Sequence, residues 1–176
     1  MMDPEKLSLY LQEWIVNTRQ LRLPNWDSLP SLELYMDQVI ILLTQYLGPI
    51  ARDEVGKTIT ASIINNYVRM KVMPPPIKKK YGRAHLACLM MICTLKQSLS
   101  IASIQKLLPT DHSEEAIHAL YDSFVCQFGR VAEFLSSQVE THGQDLSSNS
   151  AVITSAVTAT LTKDLTEYLL AINEEI

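Results

Sequence analysis

The chain has 176 residues, 47% of them hydrophobic, and a formal net charge of -4. That apolar content suffices for one compact domain, or a small domain with a helical extension, and excludes an intrinsically disordered chain. Three cysteines (Cys88, Cys93 and Cys126) lack framework spacing, which excludes a disulfide scaffold, and the longest unbroken apolar run, Leu86 to Cys93, falls far short of the ~20 residues of a membrane span.

The N-terminus carries acids where a secretory signal needs positive charge, so a cytoplasmic protein with no membrane partner is expected. Glycines are few and strand-like Val/Thr alternation is scarce, so the expected class is all-α, with six or seven helices. Apolar residues at helical spacing predict the first over Pro4 to Gln20. Two prolines and Asn/Asp turn residues then break the pattern, and Pro30 is expected in the first turn of a second, mostly buried helix that reaches Leu47 and ends at Gly48-Pro49. Thr60 is positioned to cap a short helix over Ala61 to Met70, which stops before the prolines at 74 to 76. A fourth helix is predicted over Arg83 to Gln97, and Ser100 caps a fifth over Ile101 to Leu108.

Asp111 and Glu114 have capping-box spacing before a long helix over Ser113 to Glu140, whose apolar positions include Ile117, Leu120, Phe124, Phe128, Val131 and Leu135. A last helix is predicted from Ala151 to Ile172. This long C-terminal pair either packs within the chain or dimerises, and spacing does not separate the two. The predicted organisation is therefore a helical domain over 1–110 and a C-terminal extension over 111–176.

Charge is segregated along the chain. Val55 to Thr110 contains no acid and nine of the 15 bases, while the remaining six bases face all 19 acids. Such a window predicts a polyanionic partner. On the helix from Ala61, inward Ile63, Ile64 and Tyr67 leave Ser62, Asn65, Asn66 and Arg69 outward, the residue types that read base edges. Thr60, Lys71, Lys78, Lys79, Lys80, Tyr81 and Arg83 supply hydroxyls and cations for phosphates. Histidine and cysteine spacings do not form a metal site: Cys93 lies about 140° round the helix from Cys88, and His112 and His118 are not an i, i+4 pair. Neither a glycine-rich phosphate loop, a nucleophile elbow nor paired catalytic carboxylates are recognisable, so no cofactor and no enzymatic activity are expected.

The stretch "ITASIINNYVRMKVMPPP" with "KKKYGRAHLACLMMICTLKQSLSIASIQKLL" resembles the winged helix-turn-helix of MerR-type regulators. Thr60 falls on the capping Ser, Tyr67 on the second Tyr, Val72-Met73-Pro74 on Leu-Ile-Pro, and Lys79 and Tyr81 on the wing Arg and Tyr. Asn65 stands where that family has Arg, and Lys71 replaces its turn Gly. With "LPNWDSLPSLELYMDQVIILLTQYL" included, residues 23 to 110 also resemble a bacterial family known as domain of unknown function eighteen-thirty-six. The second resemblance brings no established function, only an expected MerR-like helix-turn-helix, and the MerR resemblance implies a sequence-specific, dimeric transcriptional regulator that binds double-stranded DNA. Its recognition helix would span 61–70, a shortened wing would cover 77–83, and the helix from Ser113 would dimerise through Ile117, Leu120, Phe124, Phe128, Val131 and Leu135. An adaptor that uses the same basic face on an acidic protein is the alternative. The effector is left open.

Overall fold

The computed structural model describes residues 4–48, 59–142 and 148–172. Seven helices are present among them: α1 (Pro4–Gln20), α2 (Met36–Leu47), α3 (Ala61–Arg69), α4 (Arg83–Leu95), α5 (Ile101–Leu107), α6 (Glu114–His142) and α7 (Ser148–Ile172), with a short 3-10 turn at Trp26–Ser28. None of the helices in the described residues is long and apolar enough to cross a membrane. Contacts divide the chain into two compact units. A core unit comprises Arg22–Cys126, and a flanking unit comprises Met1–Leu21 with Gln127–Ile176.

The core unit is built around α4. His85 to Cys93 are all buried, so this helix has no solvent face. A helix apolar on every side must be enclosed, because each exposed Leu, Ile or Met would forgo ~1.5–3 kcal/mol of burial. Val39, Leu43 and Leu47 of α2 supply one wall at i, i+4, i+8 spacing, Ile64 and Tyr67 of α3 another, and Ile104 of α5 and Ile117 and Tyr121 of α6 are also enclosed. The one polar residue in the α4 run, His85, is satisfied twice. Its Nδ1 accepts from the Gly82 N–H at 3.1 Å, and its Nε2 lies 3.1 Å from the Pro75 carbonyl, which only accepts. The Nε2-protonated tautomer therefore ties the start of α4 to the proline segment.

Local chemistry sets the helix ends. The Thr60 hydroxyl accepts from the Ile63 N–H at 3.3 Å and the Ser100 hydroxyl from the Ser103 N–H at 3.0 Å, which caps α3 and α5 as their sequences predict. The start of α6 differs from the predicted box. Ser113 caps it by accepting from the Ala116 N–H, while the Asp111 carboxylate accepts from the Ser113 N–H. The backbone hydrogen bond from Ser113 also holds the Asp111 carboxyl below its usual range. At the end of α3, the Val72 N–H reaches the Tyr67 carbonyl and the Lys71 N–H the Val68 carbonyl, a Schellman motif with Lys71 in the left-handed position at φ 57°.

The second helix starts at Met36 rather than Pro30 because Leu34 is paired elsewhere. Leu34 and Tyr81 exchange two backbone hydrogen bonds of 2.9 Å as an isolated antiparallel bridge. Gln38 then accepts from the Tyr35 N–H at 2.9 Å to close the first turn of α2. A second isolated bridge, Ile77 with Lys80, closes a two-residue turn in which Lys78 and Lys79 have φ of 50° and 66°. This is the pattern of a type I′ turn. No strand occurs among the described residues, and the segment expected to be a wing is this one turn. The winged helix-turn-helix of MerR type is therefore not the fold. The architecture is all-α.

Trp26 anchors the segment before α2. Its ring stacks on His118 of α6 with centroids 4.3 Å apart, and the Arg83 guanidinium lies 5.7 Å from its centroid. The Tyr121 hydroxyl donates to the Pro24 carbonyl at 2.8 Å in a fully buried setting. In the flanking unit, Arg19 of α1 pairs with Glu133 and Glu140 of α6 at 3.3 and 2.8 Å, and its hydrogen bond holds the Glu140 carboxyl below the usual range.

Two substitutions test these placements. Tyr121→Phe leaves the buried Pro24 carbonyl without its donor and is expected to cost ~1–3 kcal/mol in urea unfolding. Lys78→Asn with Lys79→Gly relieves two left-handed lysines and is expected to stabilise by about 1 kcal/mol. A destabilised double variant would contradict the turn geometry.

Candidate binding surfaces

The amphipathic helix α3 buries Ile64 and Tyr67 and turns Ser62, Asn65 and Arg69 outward, with Asn66 half-buried. These four predicted residues stand along one groove of about 1010 Å³, opposite Lys96 and Gln97 at the end of α4. Its apolar lining comes from Ile59, Ile63, Tyr67, Cys93 and Ile101. Arg69 is held in place, since its Nη2 donates to the Asn66 Oδ1 at 2.6 Å. The Lys96 ammonium donates to the Leu99 carbonyl at 3.4 Å. Lys96, Gln97, Cys93 and Ile101 were not among the sequence-derived site residues. The signal for them was the break after α4, which folds the α4–α5 turn back beside α3.

Burial raises the Cys93 thiol to about 12, and burial with the neighbouring Cys93 raises the Tyr67 hydroxyl to about 12. Both therefore keep their protons near neutral pH.

The predicted phosphate-gripping residues are dispersed. Thr60 is occupied as the α3 cap, and Lys71, Lys78 and Lys79 are exposed. Lys80 lies 3.9 Å from Glu33 and over the Tyr35 ring. Arg83 lies 4.0 Å from Asp27 and against Trp26. Tyr81 is 2% exposed, with its hydroxyl pushed up by burial, so it is a core residue. The acid-free window is a property of the linear chain: the fold returns Asp27 and Glu33 to it, and no basic cluster results among the described residues. Lys57 lies outside the described residues.

The predicted dimerisation residues of α6 also separate. Ile117 is fully buried within the core unit, Leu120, Phe124, Phe128 and Leu135 are half-buried, and Val131 is exposed. The larger exposed apolar surface is on α7. Val152, Ile153, Val157, Leu161, Leu165, Tyr168 and Leu169 are between 50% and 68% exposed, whereas Leu170 is buried. Leu161 lies two and a half turns from Leu170, on the opposite side of the helix. Thr158, Thr160 and Thr162 return their hydroxyls to their own helix carbonyls at 2.8–2.9 Å, so their polar groups are satisfied without a partner.

Among the described residues, no group of three or more His, Cys, Asp or Glu is placed to hold a metal. In comparison with known proteins, a family profile described as "Domain of unknown function (DUF1836)" matches residues 24–124, nearly the whole core unit. No curated protein and no solved structure matches the chain. A MerR-type transcriptional regulator with a DNA-binding wing and basic face is thus overturned: the matched family carries no such assignment, the wing is absent among the described residues, and the cations do not cluster.

Thiol chemistry checks the burial. Cys126 is exposed, while burial raises Cys88 and Cys93 from 9.0 to about 12. At pH 8 a disulfide-exchange reagent is expected to titrate Cys126 in the folded chain and all three thiols after denaturation. Because their folded pKa lies above the unfolded value, the two buried thiols contribute stability that is fully present below about pH 9 and is lost as pH rises towards about 12.

Proposed function

The chain belongs to the DUF1836 family, whose description assigns no activity, and we propose from the geometry that it is a non-enzymatic helical module that works as a homodimer through α7. The exposed apolar row on α7 carries this reading. Ile153, Val157, Leu161, Leu165 and Leu169 recur every fourth residue. The row is symmetric about Leu161, so a two-fold axis there sets Val157 opposite Leu165 and Ile153 opposite Leu169 of the partner. A closed dimer uses one self-complementary patch in this way, and identical i, i+4 ridges interlock in the commonest class of helix packing.

The area favours a second copy. Six large apolar side chains on the Leu161 side, each at least half exposed, offer on the order of 600 Å² per copy, at the lower end of the ~600–1,000 Å² per partner of a standard interface. Monomeric proteins rarely leave an apolar patch of that size uncovered. Residues 149–162 contain no charged residue, so nothing in that half of the row repels its own copy.

Sedimentation equilibrium of the full chain is expected to give twice the 19.9 kDa chain mass at micromolar concentration. Leu161→Glu sets two carboxylates against each other at the axis, and the mass should fall to 19.9 kDa with the helical circular dichroism kept. In a Cys126→Ser background, oxidised Leu161→Cys should cross-link to its own copy. A monomeric wild type, or a dimer indifferent to Leu161→Glu, would overturn the proposal.

A further inference from the structure

The groove between α3 and the α4–α5 turn has a charge pattern unlike that around Lys80 and Arg83. Arg83 and Lys80 each face a carboxylate, Asp27 and Glu33. In the groove, Arg69 and Lys96 are instead held by neutral oxygens, the Asn66 amide and the Leu99 carbonyl. Among the described residues, no carboxylate lines the groove and none lies within ion-pairing distance of either cation. Neutral acceptors fix a cation in position without cancelling its charge. The Arg69 fork retains donors beyond the one given to Asn66, and its orientation is set beforehand, which reduces the ordering cost of binding.

The rest of the lining narrows the ligand. Ile63, Tyr67 and Ile101 give an apolar surface beside the cations, with Asn65 and Gln97 as amide donors and acceptors. The volume of about 1010 Å³ is at the upper end for small-molecule sites. An inorganic anion would leave the apolar wall wet, and a neutral hydrocarbon would leave two cations uncompensated. We infer that the groove binds a small amphipathic anion, its carboxylate or sulfonate head on Arg69 and Lys96 and its apolar body against Ile63, Tyr67 and Ile101. The inference is independent of self-association through α7.

The probe is 8-anilinonaphthalene-1-sulfonate, an aromatic monosulfonate, followed by fluorescence and calorimetry on the full chain. Saturable one-site binding is expected, with displacement by decanoate but not by decan-1-ol. Arg69→Ala with Lys96→Ala should weaken binding by at least about tenfold, equivalent to ~1.4 kcal/mol, with an unchanged unfolding midpoint. Leu161→Glu separates this site from the apolar row on α7 and should leave the affinity unaltered. Binding that survives the double substitution, falls with Leu161→Glu, or yields equally to decan-1-ol overturns the inference. Should the double variant fold poorly, Ile63→Glu, which sets a carboxylate in the groove, is expected to abolish probe binding, and retained affinity there counts against the site.

Discussion

A helix that is apolar on every face cannot rest at a protein surface, and the enclosure of α4 is the constraint from which the core unit follows. Nine consecutive buried residues, His85 to Cys93, require walls on all sides, and segments far apart in the chain provide them. The α2 ridge and the inner face of α3 are committed to this task, while Ile117 and Tyr121 of α6 are buried within the same core unit. So is the short bridge between Leu34 and Tyr81, which fastens the segment before α2 to the residue just ahead of α4. The groove is a by-product of the same packing. Because α3 must present Ile64 and Tyr67 inward, its polar residues look outward, beside the turn that α4 makes when its apolar run ends.

Much of the helical layout was legible in the residues themselves. The Thr60 and Ser100 caps, the limits of α1, and the buried α4 run depend on local hydrogen bonding and on hydrophobic spacing, which a sequence displays directly. The start of α2 was not legible, because Pro30 is a good first-turn residue and only the distant pairing of Leu34 with Tyr81 keeps that segment extended. The wing failed for a related reason. A stretch with prolines, lysines and a tyrosine in suggestive order has room for one two-residue turn, and its tyrosine is drawn into the core.

Charge was the most misleading signal. Counting along the chain puts Lys80 and Arg83 in an acid-free window, but Glu33 and Asp27 approach them in space. These exposed pairs add little stability, yet they change what the surface can attract. Arg69 and Lys96, held by neutral acceptors, retain the character that the window suggested. The apolar signal misled in a milder way. Residues of α6 at regular spacing are partly consumed by the core, and the larger uncovered apolar row lies on α7, whose threonine hydroxyls turn onto its own backbone.

The closed surroundings of α4 also bear on how the molecule opens. Its residues His85 to Cys93 are buried on every side, with α2 packed along the helix, so its amide hydrogens are shielded from water. Exchange of those hydrogens with solvent deuterium then requires the whole core unit to come apart, and the slowest-exchanging amides report its global unfolding free energy. The segment that sets the architecture is thereby also the one that sets its lifetime.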